Sequence, residues 1–110
     1  AHRAPPPCSE CGGRVKYDTV LFGEPIPPIV LKSARRLAEQ ADCMLVIGTS
    51  SKVRPAGGLP RIARANGALL VEINPVETAL SKVCNFVLRA PAGAVLPLLA
   101  KICSSTVSNI

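Results

Sequence analysis

The chain has 110 residues, a formal net charge of +6 and 48% hydrophobic residues, which bounds it to a single folded domain with a real core and excludes a disordered chain. Aromatic residues are only 3% and tryptophan is absent, so the core must be aliphatic and there is no stacking platform for single-stranded nucleic acid. The basic residues are scattered, with Arg35-Arg36 the one tight pair, which argues against nucleic acid and for a dispersed basic surface favouring acidic ligands.

No apolar run approaches the roughly 20 residues of a membrane span, and residues 1–7 lack the apolar core of a secretory signal. The five cysteines are odd in number, and Cys43, Cys84 and Cys103 lie in apolar runs. That suits buried thiols in a reducing compartment, with a cytoplasmic location expected.

Residues 5–7 form a stiff proline lead-in. Cys8 and Cys11 follow as C-x-x-C before two glycines, a spacing at which two thiolates can face one tetrahedral metal. Structural zinc normally takes four ligands, so three readings stand: a metal site with His2 as a further ligand, half of a zinc site, or a redox pair. Residues 14–22 (RVKYDTVLF) alternate and then turn apolar, which predicts a strand. Three prolines in residues 25–28 impose a loop.

The pattern over 29–40 is helical, with Val30, Ala34, Leu37 and Ala41 as its inner face. Residues 43–47 are a continuous apolar run, predicting a parallel strand covered on both faces. Gly48, Thr49 and Ser50 close it, at the carboxyl edge where open parallel sheets bind ligands; the same small residues would also serve a plain turn. A helix is predicted over 56–65, with Leu59, Ile62 and Ala63 inward, and Asn66-Gly67 stops it. Residues 69–74 form the next strand. The strand–helix–strand unit has the length of a βαβ crossover, which sets the strands parallel and brings Gly48 and Asn74 to one edge. That juxtaposition favours a ligand site over a plain turn. Residues 76–82 read as a polar connection, 83–88 as a third strand with Cys84 near its start, and 92–103 as an apolar helix. Residues 104–110 read as a frayed tail.

Four motifs in order, C-x-x-C-G-G (8–13), V-x-F-G-E-P (20–25), G-T-S-x-x-V-x-P (48–55) and V-E-I-N-P (71–75), resemble the sirtuins, the NAD-dependent protein deacylases. The resemblance covers the chain from Cys8 to about Ile102 and corresponds to the carboxyl-terminal half of the sirtuin catalytic core. It implies an α/β fold, a partial Rossmann-like three-layer parallel sheet (the second half of a nucleotide-binding fold), with a remnant of a small zinc-ribbon module. The implied organisation is a C-x-x-C remnant over 1–14, an NAD-binding half-domain over 15–103 and the tail over 104–110.

By the same resemblance Gly48, Thr49 and Ser50 line the NAD pocket, Asn74 bonds the adenosine ribose and Cys84 closes over the adenine. Val20 offers its carbonyl to the acyl-lysine and Phe22 walls the acyl tunnel. Gly23 and Glu24 on one side, and Ser51, Lys52 and Val53 on the other, form the two edges between which a substrate peptide adds as a strand. Cys8 and Cys11 correspond to the second pair of a four-cysteine zinc site.

The sequence departs from the family pattern in lacking the Gly-Ala-Gly phosphate turn, the Gln-Asn-x-Asp segment, the His-Gly general base and the first C-x-x-C. His2 does not match the catalytic position. Leu21, Ser51 and Arg54 stand where aromatic, Leu and Tyr residues are commoner. Transfer of the acyl group to ADP-ribose with release of nicotinamide needs a positioned base, so the chain alone is expected to be inactive. Three expectations compete: half of a deacylase completed by another chain or truncated, a non-catalytic NAD, ADP-ribose or acyl-peptide binding module, and an inert scaffold fragment. An uncovered sheet edge and apolar face would in each case favour self-association or a partner carrying the missing half.

Overall fold

A computed structural model describes residues 4–108, the last three by their backbone alone. Helix α1 (Pro28–Gln40) starts at a proline in its first turn, where the missing N–H costs nothing. Strand β1 (Cys43–Ile47), helix α2 (Leu59–Ala65) and strand β2 (Leu69–Ile73) follow, then β3 (Phe86–Leu88) and α3 (Ala92–Ser108). A single 3-10 turn, Ala56–Gly58, leads into α2.

The sheet is parallel throughout in the order β1-β2-β3. Cys43 pairs with Leu69 and Ile47 with Ile73, while Val71 pairs with Phe86. Asn66 ends α2 by returning its side-chain amide to the Ile62 carbonyl at 2.8 Å, and Gly67, at φ +93°, supplies the left-handed turn into β2.

The main core cluster lies on the helix-covered face of the sheet, while Ile73, fully buried, points to the other face. Ala38 of α1, Ala63 of α2, Ala68 and Leu70 form its buried centre, with Ala41, Met44, Leu59 and Ile62 packed against it. These are small side chains, so α1 packs closely on α2, and α2 on β1 and β2. On the other face Leu45 is 50% exposed, Leu69 48% and Phe86 60%, so the expectation that β1 is covered on both faces is corrected: helices α1 and α2 cover only one. The inward positions of α1 are Leu31, Ala34, Ala38 and Ala41, whereas Val30 and Leu37 are exposed. The expected inner stripe is therefore rotated toward the smaller residues.

Residues 14–22 form no strand. A strand needs a ladder partner, and residues 14–22 pair with neither open edge of the sheet, β1 or β3. The segment is instead held by local bonds, with Lys16 Nζ donating to the Tyr17 and Thr19 carbonyls and pairing with Glu24 at 3.3 Å. The radius of gyration, 17.8 Å, exceeds the roughly 13 Å of a compact chain this size, because neither residues 4–27 nor residues 92–105 of α3 contribute a buried residue.

The third strand is shorter than expected, since Ser81–Val83 form a 3-10 turn. The tail expected to fray is helical through Ser108, with Pro97 accommodated in the second turn of α3; residues 109–110 lie outside the described residues. All five cysteines are free, with Cys43 and Cys103 exposed and Cys84 half-buried, so the expected burial of three thiols is not met. No helix among the described residues is long and apolar enough to cross a membrane.

Candidate functional site

Parallel pairing brings the ends of β1 and β2 together. The Gly48 N–H donates to the Ile73 carbonyl at 2.9 Å, and Gly48 itself takes φ +63°, turning the chain away from the ladder. Asn74, 6% exposed, donates its side-chain amide to the Thr49 carbonyl at 3.3 Å and accepts the Val76 N–H at 3.1 Å. One amide hydrogen and one lone pair of Asn74 remain beyond these two bonds. Thr49 Oγ1 accepts the Ser51 N–H at 3.1 Å, and Ser51 sits at φ +55°, in the region a non-glycine residue rarely enters.

Thr49, Ser50, Ser51, Val53 and Gly57 line a depression of about 300 Å³ at this edge. The Ser51 hydroxyl is buried without a hydrogen-bond partner. A buried unsatisfied hydroxyl costs about 1–3 kcal/mol. The donor set fits a nucleotide's hydroxyl and phosphate oxygens: two exposed hydroxyls, one orphaned hydroxyl and a turning backbone. Gly57 must be glycine, since a Cβ there would lie 2.5 Å from the Ser51 carbonyl oxygen.

A second, larger groove of about 480 Å³ is lined by Val20, Phe22, Gly23, Glu24, Val53 and Arg54, among others. It shares Val53 and Ala56 with the depression at the strand edge. The two segments expected to flank a peptide therefore face one cavity, although 14–22 is not a strand. The expected Ser51, Lys52, Val53 edge is divided: Ser51 belongs to the strand-edge depression, Val53 to both, and Lys52 to neither.

Cys84 lies elsewhere. Asn85 donates its N–H to the Leu70 carbonyl and accepts the Leu70 N–H on its side chain, each at 2.9 Å. This anchors the chain at the amino end of β2. Asn74 is four residues further along, about 13 Å at the strand rise. Cys84 packs instead against the Ala63–Leu70 core, where burial, and next the Glu72 carboxylate, push its thiol above the ordinary value despite Arg64. The expected contact of Cys84 with the adenine does not follow from this placement.

Cys8 and Cys11 stand on a tight turn: Cys8 donates its N–H to the Gly13 carbonyl and accepts that of Gly12 on its own carbonyl, each at 2.9 Å. The Gly13 N–H donates to Cys11 Sγ at 3.4 Å. The backbone N–H of Cys11, then that of Glu10 and the Cys11 side chain, hold the Cys8 thiol below its ordinary value. Such a turn favours thiolates and fits half of a tetrahedral site. Among the described residues no three His, Cys, Asp or Glu side chains gather as a metal set, and His2 lies outside the described residues.

One functional cluster was missed in the sequence. Glu72 is completely buried in β2. It accepts the Thr78 hydroxyl at 2.5 Å and the Ser81 hydroxyl, and pairs with Arg89 at 3.4 Å. Arg89 Nη1 also donates to the Asn74 carbonyl at 3.1 Å and to the Val76 carbonyl. Burial raises the Glu72 carboxyl, but the Ser81 and Thr78 hydroxyls and the Arg89 charge together bring it below the ordinary value. The cluster ties the turn after Asn74 to the sheet. Its sequence signal was a lone carboxylate inside an otherwise apolar strand, Leu69–Ile73.

Fold and site together define a parallel α/β unit with a polar ligand edge beside an apolar groove. The family model described as Sir2 family matches residues 1–55. The chain belongs to the Sir2 family. It is 45% identical over 92 residues to an NAD-dependent protein deacylase of Pyrococcus abyssi, covering 84% of this chain and 37% of that protein. It is 43% identical over 96 residues to NAD-dependent protein deacylase 1 of Archaeoglobus fulgidus, covering 87% and 39%. The chain thus spans about two-fifths of the length of these relatives.

Among solved structures, a mutant Sir2 homologue in complex with ADP-ribose superposes with a TM-score of 0.82 at 41% identity, covering 94% of this chain and 41% of that one. Sir2Tm bound to a propionylated peptide superposes with a TM-score of 0.67 at 33% identity, covering 76% and 35%.

Proposed function

We propose that this chain supplies one side of the cofactor pocket and the acyl-peptide groove of an NAD-dependent protein-lysine deacylase. The observation that carries the reading is that the two cavities are neighbours, sharing Val53 and Ala56 in their linings. It would place an acyl-lysine in the groove against a nucleotide at the strand edge. Gly48, Thr49 and Ser50 line the cofactor side, and Asn74 gives the ribose the amide hydrogen it leaves free beyond Thr49. Val20 offers its carbonyl to the acyl-lysine, Phe22 walls the acyl chain, and Gly23, Glu24 and Val53 bind the peptide backbone. NAD, when bound, supplies the electrophilic ribose carbon; the residues of this chain bind, orient and exclude water. Cys8 and Cys11 supply two thiolates of a structural zinc site, its other ligands lying outside the described residues. The relatives' names and the ADP-ribose and propionyl-peptide complexes support this reading.

Deacylation also needs a general base within hydrogen-bond reach of the ribose. Among the described residues, those lining the two cavities include no histidine, and their carboxylate, Glu24, is paired with Lys16. That observation favours a second reading, in which these residues bind ADP-ribose and acyl peptide without turnover unless a further chain segment joins them through the open sheet face.

Calorimetric titration of the chain with NAD and with ADP-ribose tests both. Saturable binding weakened about tenfold or more by Ser50→Ala and Asn74→Ala is expected. Absence of heat at millimolar ligand from a folded sample would refute the preformed cofactor edge. Deacylation of an acetyl-lysine peptide by the chain alone would refute the second reading.

A further inference from the structure

The helical face beside the peptide groove carries a concentration of positive charge that the proposed chemistry does not use. Arg35 of α1, Arg54 of the loop and Arg61 of α2 line one depression of about 430 Å³ together with Pro55, Gly58 and Ile62. None of its lining residues is a carboxylate. The ion pairs among the described residues are Lys16–Glu24 and Arg89–Glu72, so these three guanidinium groups have no acidic partner there. Across α1 a further depression of about 600 Å³ shares Arg35 and adds Lys32 and Arg36, with Glu39 its one carboxylate.

A Cβ at Gly58 would lie 2.5 Å from Arg54 Nη1, so the guanidinium lies across the start of α2 and the glycine is what lets it approach. Arg54 and Pro55 line both this depression and the 480 Å³ groove. Crowded like charges repel one another, and planar guanidinium forks match carboxylates in bidentate geometry. An anionic chain leaving the groove past Arg54 would relieve that repulsion. A peptide fits the observations better than a nucleic acid, because the depression shares Arg54 and Pro55 with the groove and carries no aromatic side chain for base stacking.

We infer that the Arg35, Arg54 and Arg61 depression recognises acidic residues flanking the acyl-lysine, so that the protein's substrates are acyl-lysine peptides with Asp or Glu beside the modified residue. This rests on the acyl-peptide reading of the groove. Its test is a two-by-two set of fluorescent peptides, acetyl-lysine or unmodified lysine with acidic or glutamine flanks, the acidic residues being placed two to four positions to either side. Each is titrated against the full chain by polarisation at low salt.

Acidic flanks are expected to tighten binding about tenfold. That ratio should fall to near one in Arg54→Gln combined with Arg61→Gln, and in high salt. Arg14→Gln with Lys101→Gln, which removes the same charge elsewhere, should preserve it. Preference for acetyl-lysine without preference for acidic flanks would overturn this inference and leave the groove reading standing. Preference for acidic flanks regardless of acetylation would refute the groove reading and keep only the anion surface. Tighter competition by an oligonucleotide than by the acidic peptide would overturn the inference in favour of nucleic acid, and no binding of any peptide would overturn both.

Discussion

Glu72 and Arg89 offer a sharp test of how the ligand edge is held. Arg89→Ala removes the guanidinium that pairs with the fully buried Glu72 and bonds the Asn74 and Val76 carbonyls. Breaking a fully buried pair costs about 3–5 kcal/mol. Here the Arg89 side chain is 36% exposed, and Glu72 keeps the Thr78 and Ser81 hydroxyls, so about 2 kcal/mol is expected. Glu72→Gln preserves the shape but loses the charge, for about 1–2 kcal/mol. Because each single change strands the other partner, the double variant should fall short of additivity by about 1 kcal/mol.

Urea denaturation followed by helical circular dichroism measures all four corners of this cycle. The Glu72 carboxyl is held below its ordinary value of 4.5 in the folded chain. Its contribution is therefore complete above that value and is lost as pH falls through the depressed folded one. The stability gap between the parent and Glu72→Gln should narrow on acidification from pH 7. Additive single changes, or a gap that holds or widens in acid, would refute the view that the pair acts as a unit.

Two further expectations concern local geometry. Gly57→Ala sets a Cβ against the Ser51 carbonyl and should cost about 1–3 kcal/mol, read as a lower urea midpoint together with faster amide exchange over residues 49–53; an unchanged midpoint would show that the loop can yield. At pH 7 Cys8 should be alkylated faster than Cys84, because backbone N–H groups lower the first thiol while burial and the Glu72 charge raise the second. Peptide mapping of a brief iodoacetamide pulse gives the order, and the reverse order would contradict the assigned environments.

Local and nearest-neighbour rules account for what could be read from the chain. The run over 43–47, the Asn66-Gly67 stop and the following apolar run bounded β1, the end of α2 and β2 to within a residue, while the first three residues of the expected helix form a 3-10 turn. The length of the crossover then set the strands parallel and brought Gly48 to Asn74. Residues 14–22 show where such rules end, since alternation marks a segment able to join a ladder but a strand also needs an edge to pair with.

Cys84 shows the same limit: its level along the sheet is set by the bond between Asn85 and Leu70, fifteen positions apart, which no periodicity encodes. The inner face of α1 turned on what it packs against. Ala34 and Ala38 allow close approach to α2, so Val30 and Leu37 were left outside even though they are the more hydrophobic residues.

The sequence by itself determined the parallel βαβ unit and the meeting of Gly48 and Asn74 at one edge, because these follow from backbone propensities, chain reach and the handedness of a crossover; four ordered motifs carried the likeness to the family. Only the tertiary structure decided that Glu72, Thr78, Ser81 and Arg89 form one buried cluster, that the two cavities share Val53, and that three arginines from three segments converge. Each joins residues through space with no regular spacing along the chain, and charge and desolvation energies depend on spatial separation and burial, not on separation in sequence.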